Sequence, residues 1–306
     1  MTPSFAAALQ AAHDAAAAQH YPPGALYVVA TPIGNLADIS LRALHVLQIV
    51  DAVACEDTRH TQALLHIYGI DKTGSRLLAL HQHNELQAAE RVIERLRQGQ
   101  RVAYASDAGT PAVSDPGARL VAAVRAADLR VVPVPGPSSV TAALSVAGIS
   151  SEAGPNGGFV FAGFLPSKAI ERAKRIAALA HEPRAVVLLE APHRIEALAA
   201  ALAPLSDRRL SVGRELTKQF EDIATMQAAE FAPWLTADSN RSRGEFVLVL
   251  HPAQVEASDG DEIRVLRLLM AELPLKTAVK LASDITGASR NALYDAALAE
   301  KKGEAD

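Results

Sequence analysis

Cys55 is the only cysteine among the 306 residues, so no disulfide can close within the chain and no zinc site built on several cysteines is available. That usage agrees with a reducing compartment. No apolar run is long enough to cross a bilayer as a helix, and no repeat of fixed period is present. An excess of positive charge is also missing. The formal net charge of -4 excludes a global pull toward nucleic acid and leaves such a contact to a local basic surface. The first twenty residues are rich in alanine but carry Gln10, His13, Asp14 and Gln19. They lack the basic start and unbroken apolar core of a secretory signal. We read residues 1–25 as a weakly ordered or helical extension, and the chain as cytoplasmic.

What the chain does contain is 49% hydrophobic and 21% charged residues, enough to bury a sizeable core in two ordinary domains. Short apolar runs alternate with helical patterns, which predicts an α/β fold. Strands are expected at 26–30, 52–55, 77–80, 102–105 and 131–134, and again at 159–163, 185–189, 210–213 and 246–250. A helix follows Asn84, with Leu86, Ala89, Ile93 and Leu96 on one face, Asn84 as its cap and Gly99 at its end. Another starts near Asp115, whose carboxylate can cap it while Pro116 takes the first helical position. The run Ser151-Glu152-Ala153-Gly154-Pro155-Asn156-Gly157-Gly158 has loop composition. It sets the expected division: 26–150 for a first α/β domain, 151–255 for a second, and 256–306 for a small helical segment. Within the last, a helix pair is expected at 275–285 and 289–298, carrying Lys276, Lys280 and Arg290.

Three expected strands run into loops suited to holding a small polar ligand. The first, Ala30-Thr31-Pro32-Ile33-Gly34-Asn35, does not read G-x-G-x-x-G, so the dinucleotide fingerprint is absent. The second, Ser106-Asp107-Ala108-Gly109-Thr110-Pro111, offers one carboxylate and exposed backbone. The third, Pro135-Gly136-Pro137-Ser138-Ser139, leads into an apolar helix. Either serine can cap that helix, or its amides can receive a ligand carboxylate. Three such loops in one domain favour a cleft over three independent turns.

These loops, together with Glu56-Asp57-Thr58-Arg59, His83-Asn84-Glu85, Gly163-Phe164-Leu165-Pro166, Glu190-Ala191-Pro192-His193-Arg194 and Arg214-Glu215-Leu216-Thr217-Lys218, resemble in order the ribosomal RNA small subunit methyltransferase I family. The resemblance covers roughly residues 26–250. It implies the tetrapyrrole methylase fold: two α/β domains with S-adenosylmethionine between them, commonly as a homodimer. It also implies 2′-O-methylation of a cytidine in 16S rRNA near the decoding centre of the small ribosomal subunit. Carried over position by position, it puts Ile33, Asp107, Thr110, Ser138 and Ser139 near the cofactor from the first domain. Phe164, Leu165, Glu190, Arg214 and Glu215 would approach it from the second. The chain departs from the small-macrocycle branch, whose first loop is glycine-rich. It also has Arg243-Gly244-Glu245 where the RNA branch usually has Lys-Gly-Glu, exchanging a point charge for a planar fork.

For the general base, Glu56, Asp57, His83 and Glu85 stand at or just past the expected strand ends. Asp57 can equally cap a helix, and Glu85 can complement a helix dipole. Arg59, Arg194, Arg214 and Lys218 are candidates for phosphate or ribose contacts, with solvated surface charge as the competing reading. His81 and His83 alone are weak evidence for a metal, and methyl transfer from a sulfonium calls for none. Two rival functions remain open: a tetrapyrrole methylase acting on a small macrocycle, and a catalytically silent factor in ribosome assembly.

Overall fold

The computed structural model describes residues 5–81, 84–113, 115, 117–149, 158–253 and 261–303. Met1–Pro252 form one compact unit and Ala253–Asp306 a second.

The first lobe of the larger unit is a parallel sheet of β1 (Ala25–Val29), β2 (Ala52–Cys55), β3 (Leu77–Ala79), β4 (Val102–Ala105) and β5 (Arg130–Val134), in the order β3-β2-β4-β1-β5. Neighbouring side chains on a strand point to opposite faces, which divides the apolar runs between two cores. Tyr27, Val29, Ala103 and Ala105 pack under α1 (Ala6–Ala16), α2 (Leu41–Ile49) and α3 (Thr58–Ile67). Leu26, Val102 and Tyr104 pack under α4 (Glu85–Arg97) and α5 (Gly117–Ala126). The strands are short and nearly continuous in apolar residues because both faces are covered. β1 and β4 are neighbours whose following connections leave in opposite directions, one to β2 and the other to β5. Such a reversal opens a crevice at the carboxyl ends of the strands.

The second lobe holds β6 (Phe159–Phe164), β7 (Ala185–Glu190), β8 (Arg209–Arg214), β9 (Asp222–Gln227) and β10 (Phe246–Leu250), ordered β6-β7-β10-β8-β9. β6 and β7 are parallel and the other pairs antiparallel. One face is covered by α7 (Ala169–Leu179), α8 (Ile195–Leu202) and α9 (Phe231–Thr236). Against the other face, Val187, Val247 and Val249 meet Val140, Ala143 and Ala147 in and just after α6 (Ser139–Val146), the last helix of the first lobe. The two lobes therefore share a core. In the smaller unit, α10 (Asp261–Glu272), α11 (Leu275–Thr286) and α12 (Arg290–Gly303) bury Leu266, Ala278, Ala282, Leu293 and Ala297.

Four sequence expectations need correction or completion. Of the two alternatives for the amino-terminal segment, the helical one holds over Ala6–Ala16: Ala12 and Ala16 are buried, and Phe5 meets Tyr68 edge-on at 4.9 Å. Asn84 does not cap α4; its Oδ1 accepts from the His81 amide at 2.8 Å and its Nδ2 donates to the Ala79 carbonyl. β9 had no place among the expected strands. It is an edge strand with alternating exposure and an acidic start, so only its pairing with β8 makes it one. α10 precedes the expected helix pair. Asp115 does accept the Gly117 amide at 2.7 Å at the start of α5, while Pro116 and residues 150–157 lie outside the described residues.

Candidate active site

The loops after β1 and β4 are stitched together. Thr31 and Gly109 exchange backbone hydrogen bonds at 3.0 Å, and the buried Thr31 hydroxyl donates to the Ser106 carbonyl. The Thr110 hydroxyl donates to the Pro137 carbonyl at 2.9 Å, which adds the loop after β5. All three loops singled out in the sequence thus meet at one end of the sheet. Where the shared interlobe core stops short of them, a cavity of about 310 Å³ remains. Ile33, Ala108 and Ser139 line it from the first lobe. Phe164, Leu189, Glu190, Ala191, Pro192, Leu216, Lys218, Glu245, Phe246 and Val247 line it from the second.

Its walls are mostly apolar, which gives Glu190 at the end of β7 unusual weight. The Glu190 side chain is fully buried; Oε1 accepts the Ala191 amide at 3.0 Å and lies 3.0 Å from Arg194 Nε. That second contact is poorly aligned for a hydrogen bond and holds as an ion pair. Oε2 has no hydrogen-bond partner among the described residues. A buried carboxylate oxygen without a partner is costly, so its retention beside a cavity is the signature of a group awaiting a donor.

Lys218 crosses from the second lobe. Its ammonium meets Glu215 at 2.8 Å and Glu245 at 3.0 Å, while its stem lies over Gly34, where a Cβ would stand 2.3 Å from Lys218 Cγ. Burial alone would raise the Glu215 carboxyl, but Lys218 and the Glu245 amide outweigh it and hold it below its ordinary value. Burial alone would lower Lys218, and the two carboxylates outweigh that in turn. Lys218 is thus a cleft residue with a fixed partner set, rather than a solvated cation.

Behind the loop that carries Ala108, Asp107 Oδ1 accepts the Asp57 amide at 3.4 Å. Burial first, then the charges of Asp107 and Asp115, push the neighbouring Glu56 carboxyl above its ordinary value of 4.5. Asp57 caps α3 through the Arg59 amide at 2.8 Å, and the Arg59 guanidinium holds its carboxyl down at about 2. Glu85, in the first turn of α4, is paired with Arg119 at 2.6 Å.

Residues 25–232 match the family Tetrapyrrole (Corrin/Porphyrin) Methylases, and residues 256–301 match the RsmI C-terminal HTH domain. The Ribosomal RNA small subunit methyltransferase I of Escherichia coli O157:H7 is 48% identical over 282 residues, covering 91% of this chain and 96% of that protein. The chain belongs to the ribosomal RNA small subunit methyltransferase I family. Among solved structures it is similar to diphthine synthase, with 16% identity and a TM-score of 0.56 over 74% of this chain and 90% of that one. It is also similar to the uroporphyrin-III C-methyltransferase of Thermus thermophilus complexed with S-adenyl homocysteine. That likeness has 17% identity and a TM-score of 0.50 over 74% and 96% of the two chains. At such identities these two likenesses speak for the tetrapyrrole methylase fold.

In this member of the methyltransferase family, the cleft gathers Ile33, Ser139, Phe164 and Glu190 from the expected cofactor set. Ser138 stands just before α6 without a side-chain cap bond, and Thr110 is engaged with Pro137. Leu165 is in the core of the second lobe and Arg214 donates to the carbonyls of Phe220, Asn240 and Arg243, so neither side chain lines the cavity. Of the expected RNA contacts, Arg59 is exposed and bound to Asp57, and Arg194 is held by Glu190 and the Leu165 carbonyl. His83 lies outside the described residues. The expected site residues did not include Leu189, Phe246 and Val247, apolar residues beside recognised motifs, nor Ala108, Ala191, Pro192, Leu216 and Glu245, which lie inside them.

The upward displacement of Glu56 has a stability consequence. A carboxyl whose folded pKa exceeds its unfolded one binds more protons when folded, so its effect is absent below about pH 4 and destabilising as pH rises through the shifted value. Glu56→Gln is therefore expected to raise the melting temperature at pH 7 and leave it unchanged at pH 4. Thermal melts across that interval check it; equal shifts at both pH values would refute the linkage.

Proposed function

We propose that the protein transfers a methyl group from S-adenosylmethionine to the 2′-oxygen of a cytidine in 16S rRNA, near the decoding centre of the small ribosomal subunit. The reading is supported by membership of the ribosomal RNA small subunit methyltransferase I family. Within the structure it is carried by the buried, unpartnered oxygen of Glu190, a residue that lines a mostly apolar interlobe cavity. The residues present fit a nucleoside-bearing cofactor. Ile33, Phe164, Leu189, Leu216 and Val247 offer apolar contact to an adenosyl group, and Glu190 Oε2 can accept from a hydroxyl or amino donor. The neighbour from Thermus thermophilus, itself crystallised with S-adenyl homocysteine, agrees with that class of ligand.

When bound, the cofactor supplies a methyl group already activated on a sulfonium. The chain must orient the ribose oxygen behind it and accept its proton. Orientation can supply roughly 7 to 11 kcal/mol, and a positioned base about 10² to 10⁴ in rate. Positioning is thus the larger task, and it falls to a cleft whose walls come from both lobes. Lys218, spanning from Glu215 and Glu245 to the Gly34 loop, ties those walls together. For the proton, Glu56 is the candidate carboxylate left outside an ion pair among the described residues, because Asp57 and Glu85 are already held by Arg59 and Arg119.

Incubation with labelled S-adenosylmethionine and small subunits lacking the modification tests the proposal. The expected product is 2′-O-methylcytidine in 16S rRNA. Label entering only a precorrin-type macrocycle, or no label despite altered subunit assembly, would overturn it.

A further inference from the structure

A second cavity, about 340 Å³, lies on the outer side of α3, away from the residues that line the interlobe cleft. Arg59, Gln62, Ala63 and His66 fall on one stripe of that helix, at i, i+3, i+4 and i+7. Ile70, Asp71, Lys72 and Thr73 form the facing wall. Ala63, in the middle of the stripe, contributes only a methyl group to the lining.

Its donors are incompletely used. Arg59 binds Asp57 through Nε and Nη2, leaving Nη1 without a partner among the described residues. Lys72 is buried, and its ammonium donates to the Gln48 and Val50 carbonyls. Those two bonds occupy two of its three donors and anchor a positive charge in the wall. Asp71 is the one acid among the lining residues. A concave site with one buried cation, Lys72, one exposed guanidinium, Arg59, and free N–H groups suits a phosphodiester better than a cationic or apolar ligand.

Its place in the fold supplies the connection to the reaction. Arg59 is in the first turn of α3, next to the Asp57 cap that is hydrogen-bonded to Asp107, and Asp107 adjoins the cleft residue Ala108. The cavity runs from there along a helix of ten residues, about 15 Å long. We propose that it is a subsite for a backbone phosphate of the RNA strand, a few nucleotides from the methylated ribose. The inference rests on the RNA methyltransferase reading and adds a binding element that holds the strand outside the reaction cleft.

The test uses the full chain with small subunits lacking the modification, following methylation as a function of salt, alongside calorimetry with S-adenosylmethionine. Arg59→Met removes the charge. Ala63→Leu leaves every charge in place and fills the space from an exposed helix position. Both are expected to raise KM for the small subunit by about tenfold or more, with cofactor affinity within twofold of the parent. In Arg59→Met the dependence of log affinity on log salt should become shallower by about 0.7 for the lost phosphate contact. Parental KM in Ala63→Leu, or a parental salt slope in Arg59→Met, would overturn the subsite while leaving the function standing. Failure of the unaltered protein to methylate small subunits would overturn both.

Discussion

Glu190→Gln is expected to weaken S-adenosylmethionine binding by roughly 10- to 150-fold, the range corresponding to about 1.5–3 kcal/mol for a hydrogen bond to a charged group. The substitution preserves volume, so the effect is chemical. In the native site one carboxylate oxygen faces two donors, the Ala191 amide and Arg194, while the other is buried without a partner in the wall of the cavity. A carboxylate accepts on both sides, but an amide has one donating end. If the new NH₂ group points toward Ala191 and Arg194, donors confront donors; if it points into the cavity, it confronts the ligand's own donor. Neither orientation replaces what is lost. Calorimetry decides the matter, and parental affinity would show that Oε2 does not meet the cofactor.

Gly117→Ala is expected to lower the melting temperature of the larger unit by roughly 6 to 12 °C. A Cβ at this position would stand 1.9 Å from Tyr104 Cε1 and 2.7 Å from Asp115 Oδ1. Tyr104 is fully buried in the core beneath α4 and α5 and donates to Asp115 at 2.9 Å, so the ring cannot yield without giving up that bond. Overpacking costs about 1–3 kcal/mol, and a displaced buried hydrogen bond adds a comparable amount. At 2–4 °C per kcal/mol for a unit of this size, a loss of about 3 kcal/mol gives the stated range. Gly99→Ala is the control. Its φ of +80° strains any replacement by about 1–2 kcal/mol, but no atom stands within 4 Å of the added carbon. Equal melting temperatures for the two variants would remove the steric argument.

The residues around these two positions differ in how much the sequence disclosed. β2, β4 and β10 coincide with the expected strands 52–55, 102–105 and 246–250, because each is a short apolar run bounded by polar or turn residues. The loops after β1, β4 and β5 were recognisable by their Gly, Pro and Ser content, and they converge as a parallel sheet of this order requires. β9 was not recognisable, since its only claim to be a strand is its pairing with β8, whose residues from Arg214 back to Arg209 stand 8 to 18 positions earlier. The same limitation hid half of the cleft. Leu216 and Val247 are apolar residues that any core could use, and nothing local distinguishes the ones that face a cavity.

The alternation of strands and helices, the three ligand-suited turns and, through ordered motifs, the methyltransferase family are legible in the chain read residue by residue. Those properties are written in nearest-neighbour chemistry: periodicity, capping and turn residues act over a few positions. That Glu190 has an oxygen without a partner among the described residues, that Lys218 reaches the Gly34 loop, and that Asp57 and Glu85 are held in ion pairs emerges only from the folded arrangement. Whether a charged side chain is buried, paired or free depends on which distant segments surround it, and that environment exists only once the two sheets have packed around their shared core.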